Sequence, residues 1–340
     1  MDSFGVMIAL IKAAVVFVAI ITMVMVMTLA ERKIAGFIQY RHGPNRVGPG
    51  GLLQPLADGM KFLFKEDIIP DNVNKPIYLL APVITLIPAL MTFAVIPFGA
   101  PLEIAGRTVS LQVADINIGL LYILALTSVG VYGIVLAGWS SGSKYPLLGG
   151  LRSSAQLISY ELAMGLAVIG IIMVSGGLTF NTIVDHQQSM GWNFWKQPLA
   201  ALVFLVAIFA ETNRLPFDLT QAEQELVGGY HTEYSSFKFS MFFLAEYANM
   251  ITAAAFMVCL FFGGWDIPWV DEAALGTWGT VLSVLAFSFK VGFFLFLYVW
   301  VRWTFPRFRY DQLMRLGWMV MLPLGLLNVL LVGLWMALRA

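Results

Sequence analysis

The residues with the greatest chemical capacity in this chain are carboxylates in unlikely places. The stretch 210–234, AETNRLPFDLTQAEQELVGGYHTEY, places Glu211, Asp218, Glu223, Glu225 and Glu233 between two long apolar runs. Arg214 and His231 are its only basic residues. Acids crowded beside a low-dielectric phase repel one another unless protons or a basic partner neutralise them. Two more acids, Glu161 and Glu246, each lie about eight residues inside an apolar run, ~12 Å deep at ~1.5 Å per residue. Ionisable groups at the centre of such segments cost roughly +2.5 kcal/mol or more and mark function by default. With Glu211 at the end of a third run, three helices bring carboxylates to similar depth, a cluster suited to holding and passing protons. Lys290, near the middle of another run, is the expected counter-charge. The plainer alternative for each group is a structural hydrogen bond or ion pair. Lys12, near one end of the first run, is expected to snorkel.

These groups need elements that hold them in lipid. The chain has 340 residues, is 59% hydrophobic and only 12% charged, and has a mean hydropathy of +0.81. Soluble domains carry roughly 25% charge, so a fold this apolar requires a membrane as its solvent. Runs of ~17–25 apolar residues mark spanning helices. Eight are expected, at about 4–30, 77–98, 115–139, 155–176, 197–212, 239–263, 279–301 and 315–338. The fifth is short. The fold class is therefore an all-α polytopic membrane protein forming one integral domain. The N-terminal run is too long for a cleavable signal peptide and lacks an A-x-A site, so it is expected to remain as a span.

Basic residues set the expected orientation. Loops 31–76, 140–154, 213–238 and 302–314, with Arg315, hold fifteen of the twenty Lys and Arg residues. Only Arg107, Lys196 and Arg339 lie on the other side. The positive-inside rule then puts both termini on the outer, periplasmic side and the acidic loop 213–238 in the cytoplasm. Within 31–76, the Gly- and Pro-rich run 39–51 reads as an ordered connector. In 52–66, Leu52, Leu53, Leu56, Met60, Leu63 and Phe64 share one helical stripe, with Asp58, Lys61 and Lys65 off it. That piece reads as an amphipathic helix lying in the interface, or packed on a soluble partner.

Several chemistries are excluded. A net charge of zero argues against a nucleic-acid partner. The single cysteine, Cys259, cannot form an internal disulfide or a Cys-based cluster. His42, His186 and His231 fall in loops on different sides and make no shared metal site. No G-x-G-x-x-G opens a helix and no phosphate-binding P-loop occurs, so any redox centre must belong to a partner.

Seven motifs carry a family resemblance. They are Glu31-Arg32-Lys33, the run Gln39 to Asn45, LQPLAD ending at Asp58, ETNRLPFD ending at Asp218, Glu223-Gln224-Glu225-Leu226, Ala245-Glu246-Tyr247, and PRFRYDQL from Pro306 to Leu313. The chain resembles, over nearly its whole length, the H subunit of proton-pumping NADH-quinone oxidoreductase, respiratory complex I. The resemblance implies a membrane-arm component of that translocase in a bacterial inner membrane, with no complete active site of its own. Such a component would anchor the redox arm and form much of the tunnel for a lipid-soluble quinone. NADH, FMN and iron–sulfur clusters would belong to partner subunits. The family's acidic path would run through Glu161, Glu211 and Glu246, with Asp218, Glu223, Glu225 and Glu233 between it and the quinone cavity. Glu31, Arg32, Asp58 and Arg214 match charged residues near that cavity, and Lys290 also matches. Many members have Glu where this chain has Gln221, so that position is dispensable here. Rival readings are the equivalent anchor of a membrane-bound hydrogenase-type complex, a purely structural anchor for the redox arm, and a free-standing transporter.

Overall fold

The computed structural model of the protein describes residues 3–104, 107–219, 223–268 and 276–339. Among these, helices dominate: α1 (Ser3–Ile38), α2 (Gln54–Phe64), α3 (Lys75–Met91), α4 (Gly119–Ser140), α5 (Lys144–Ser175), α6 (Phe180–Met190), α7 (Asn193–Lys196), α8 (Pro198–Glu211), α9 (Glu223–Leu226), α10 (Ser236–Phe261), α11 (Thr277–Thr304), α12 (Tyr310–Arg315) and α13 (Leu322–Ala337). A π-helical turn, Leu316–Met321, joins the last two into one long element. The only strands described, β1 (Leu102–Ile104) and β2 (Arg107–Val109), form a small antiparallel hairpin.

Among the described residues, seven helices are long and apolar enough to cross a membrane: α1, α3 with its 3₁₀ extension, α4, α5, α10, α11 and the α12–α13 element. The eighth apolar helix, α8, has only fourteen residues. At ~1.5 Å per residue it covers ~21 Å, short of a ~30 Å hydrocarbon core. Pro198 starts it, where a missing N–H costs nothing. Two helices, α6 and α7, lie in the segment 177–196 that the sequence presents as a plain loop.

The bundle is built around α10. Its small residues Ala253, Ala254 and Ala255 are buried and allow close packing from several sides. Apolar side chains on the rim point outward, including Phe289 on α11 and Leu330 on α13. Such a surface is untenable in water and natural in lipid. On α2, Leu56, Met60, Leu63 and Phe64 are likewise uncovered.

Pro82 inside α3 removes the N–H that would serve the Tyr78 carbonyl. The Tyr234 hydroxyl donates to that carbonyl at 3.1 Å, while Tyr78 donates to the Glu233 carbonyl at 2.7 Å. The two rings stack at 4.1 Å. A broken helical bond in α3 is thus the anchor for the end of loop 213–238.

Candidate functional site

The acidic loop folds back onto the bundle. Gln156 of α5 donates to the Ala210 carbonyl at 2.9 Å and to Asn213 Oδ1 at 3.2 Å. Phe217 packs edge-on against Tyr160, and the Phe308 N–H donates to the Pro216 carbonyl at 3.1 Å. At its far end, Ser236 donates to the carbonyls of Phe62 and Lys65, and Lys238 pairs with Asp67 at 2.8 Å. The loop therefore clamps α2 to the bundle.

This folding delivers Arg214 to the centre of an ionic group that draws on four elements. Arg214 Nε lies 2.8 Å from Glu246 Oε1 of α10. Its Nη1 donates to both oxygens of Glu31 on α1, at 3.1 and 3.3 Å. Tyr247, beside Glu246 on α10, donates to Glu31 Oε2 at 2.6 Å. Arg302, in the last turn of α11, is also hydrogen-bonded to Glu31. The Arg214 guanidinium sits over the Tyr247 ring, 4.4 Å from its centroid. Both Arg214 and Glu31 are buried. Two carboxylates face two guanidinium groups, and Arg214 is shared between the acids.

Beyond Glu246 lies a small cavity of about 30 Å³, where Glu211, Glu246, Thr127, Asn213 and Asn249 meet apolar walls that include Ile134 and Leu157. A water needs roughly 10–15 Å³ of such space, so the cavity has room for about two. Glu211 Oε2 is buried with no hydrogen-bond partner among the described residues. On α4, Ser128 follows Thr127 and donates to Glu161. Arg214 thus joins Glu31 to Glu246, the cavity joins Glu246 to Glu211, and Glu161, held by Ser128, lies within electrostatic range of Glu211. Hydroxyls on α4 stand where the sequence offers that span no acid.

Other expected residues sit at the edges. Asp218 meets Arg307 at 3.2 Å. Burial, reinforced by Glu246, pushes its carboxyl up to about 6, against the opposing pull of Arg307, Arg302 and Arg214. Asp58 pairs with Arg32 at 2.6 Å and accepts from Gln54 at 3.2 Å. Burial works against its charge, but Arg32, Gln54 and Lys61 hold its carboxyl below the usual range. Arg32 and Asp58 thus pair where α1 meets α2, apart from the ionic group of Glu31 and Arg214. Glu225 pairs with Arg152 at 2.7 Å on the exposed side. Glu233 is half-buried, and its backbone carbonyl holds Tyr78. The side chain of Glu223, like residue Gln221, lies outside the described residues. Burial lowers His231 to about 4 among aromatic rings, so it stays neutral.

Lys290 is not the counter-charge of the buried acids. Its ammonium donates to the carbonyls of Phe262, Gly264 and Asp266, at 2.8, 3.0 and 2.6 Å. Those carbonyls follow the end of α10, and the helix runs ~22 Å from Glu246 to that end at ~1.5 Å per residue. Arg214 and Arg302 take the role for Glu31, and Arg214 for Glu246. Arg302 escaped sequence reasoning because it looked like an ordinary basic residue flanking a span. Tyr247 stood in the Ala245-Glu246-Tyr247 motif with no role assigned to it, and Ser128 carried no signal beyond lying on the span next to that of Glu161. Among the described residues, no three of His, Cys, Asp and Glu come together as a metal site.

Fold and site together define a polytopic helical membrane protein with an ionisable array sealed inside it. A family model described as NADH dehydrogenase matches residues 11–333. A protein of Rhodothermus marinus named NADH-quinone oxidoreductase subunit 8 is 56% identical over 324 residues, 92% of each chain. Two bacterial proteins named as H subunits of NADH-quinone oxidoreductase are similarly close. That of Geobacter sulfurreducens is 53% identical over 97% of this chain and 95% of its own length. That of Cytophaga hutchinsonii is 50% identical over 94% of this chain and 93% of its own. The chain belongs to the NADH dehydrogenase family.

Proposed function

We propose that the chain is the H subunit of a bacterial NADH-quinone oxidoreductase, where it borders the quinone passage and couples quinone reduction to proton translocation. The observation that carries this reading is the buried array from Glu31 through Arg214, Glu246 and Glu211 to Glu161. It begins beside α2, the interfacial helix, where a lipid-soluble substrate would enter, and ends deep in the bundle. The protein sits in the cytoplasmic membrane; with α8 completing an eighth crossing by borrowing from its flanks, both termini lie outside and loop 213–238 lies on the cytoplasmic face. It binds no redox cofactor of its own. Partner subunits carry the NADH site, FMN and iron–sulfur clusters, and quinone is the shared substrate.

The chain's part in the reaction is electrostatic. A quinone reduced by two electrons takes up two protons. A proton arriving at Glu31 or Glu246 neutralises one of the two acids that share Arg214, and the guanidinium then favours the other. At an effective dielectric of ~20, one unit of charge at 4 Å is worth ~4 kcal/mol, or ~3 pKa units. That suffices to move a proton between neighbouring buried acids. Glu211, across a cavity with room for water, is the next acceptor. Ser128 orients Glu161 at the far end.

A photoreactive quinone analogue bound to the assembled complex tests the location. Labelling is expected on peptides from residues 31–65 and 213–247 of this chain. Labelling that spares both segments, with quinone reductase activity blocked, would overturn the reading.

A further inference from the structure

A second, larger cavity lies at the opposite end of α1 from Arg32 and takes no part in the proton array. Its volume is about 450 Å³, within the ~300–1,000 Å³ range of sites that hold small ligands. One wall is the face of α1 that carries Val16, Ile20 and Met23. The other comes from α10 and α11, with Ala255 and Val291. Its lining is apolar except for Lys12, Gln112 and Ser288.

The depth of this cavity follows from the helix. Arg32, tied to Asp58 of interfacial α2, marks one edge of the membrane. Counting twenty residues back reaches Lys12, ~30 Å away at ~1.5 Å per residue, the thickness of the hydrocarbon core. Lys12 therefore stands at the other interface. Met23 is eleven residues deeper, ~16 Å, about half the core. The cavity runs from Lys12 for the depth of one leaflet.

The cavity is half-open, and within the bilayer its apolar walls are met by lipid rather than by water. Water does not fill an apolar void. The occupant must be a flexible apolar chain, and charge at the rim selects its end group. Lys12 Nζ donates to the Gln112 carbonyl at 3.2 Å, and an ammonium has three donors, so donors remain for an anion. Gln112 contributes no competing charge: its amide nitrogen donates to the Val95 carbonyl and its oxygen accepts from Asn181. Among the described residues, no acid lines the cavity.

We propose that this cavity binds one acyl chain of an anionic phospholipid from the leaflet opposite α2, with the lipid phosphate held by Lys12. The site is separate from the quinone passage and does not depend on the coupling mechanism.

The test uses the purified native membrane assembly, delipidated and then titrated with dioleoylphosphatidylglycerol or dioleoylphosphatidylcholine, with bound lipid counted by native mass spectrometry. One phosphatidylglycerol is expected to bind in preference to phosphatidylcholine. Lys12→Gln should weaken that binding about fivefold, the effect of one basic residue at a membrane surface. Ala255→Trp, which fills the cavity, should abolish it. If that variant fails to assemble, Val16→Trp fills the cavity from the opposite wall. Equal affinity for the two lipids, binding unchanged in Lys12→Gln and in the filled variant, or a quinone tail or a segment of a neighbouring protein found in the cavity would overturn the proposal.

Discussion

Arg214 and Glu246 meet with Nε 2.8 Å from Oε1 inside the bundle, and the same guanidinium reaches Glu31 through Nη1. One cation from a loop thus serves acids on two helices. Removing it leaves buried negative charge without its partner, which typically costs about 3–5 kcal/mol. Arg214→Gln should therefore lower the unfolding temperature of the purified complex and abolish quinone reduction. Arg214→Lys should recover assembly better than activity, because one ammonium cannot address both acids with a planar fork. Equal activity in Arg214→Lys and the parent would show that the shared geometry is immaterial.

Asp218 offers a pH signature. Its folded carboxyl titrates at about 6, above its ordinary 3.8. A raised acid binds its proton more tightly in the folded state, so stability declines as pH rises from about 4 to 6 and stays lower above that. The shift corresponds to ~3 kcal/mol at neutral pH. Asp218→Asn should flatten the stability profile between pH 4 and 6, measured by thermal unfolding of the solubilised complex. It should also remove any limb near pH 6 from the quinone-reductase profile. Parallel profiles for the two proteins would contradict the assignment.

The Tyr234 hydroxyl stands in for the backbone donor that Pro82 removes. Tyr234→Phe leaves the Tyr78 carbonyl unsatisfied in a buried place, at a cost of about 1–3 kcal/mol. Hydrogen exchange should rise in residues 228–238. A Pro82→Ala background supplies an N–H for that carbonyl, so the same substitution should cost less there. An identical cost in both backgrounds would exclude the explanation.

Lys290 caps three carbonyls beyond the end of α10. Lys290→Met should loosen the segment 262–268 in hydrogen exchange. The pH profile of quinone reduction should keep its shape, because Lys290 pairs with carbonyls beyond α10, while Glu31 and Glu246 draw their compensation from Arg214 and Arg302. A displaced pH profile would restore Lys290 to the proton array.

The legible part of this molecule was what lipid imposes. Spans such as α5 and α10 announce themselves because the hydrocarbon core demands about twenty apolar residues, and Glu161 and Glu246 are conspicuous against that background. The amphipathic α2 shows in its stripe from Leu52 to Phe64. Pairing between helices was not legible. Nothing in the spacing of Arg214, Glu31 and Arg302 says that they converge, because those contacts depend on how α1, α11 and the loop after α8 are arranged in three dimensions. Lys290 illustrates the limit: its depth was readable, but its direction was not, and it faces backbone carbonyls. α6 and α7 escaped because their polar residues, such as Asn181 and Gln187, resemble loop composition until their buried partners are seen.

Coupling through the buried acids is tested most directly by the proton-to-electron ratio of the complex reconstituted in sealed vesicles, compared for the parent, Glu161→Gln and Glu246→Gln. Each substitution removes a site that can gain or lose a proton and retains side-chain size. The account predicts an assembled complex in both variants, with proton translocation falling further than quinone reduction or with both lost. Normal quinone reduction with an unchanged ratio in both variants would contradict it.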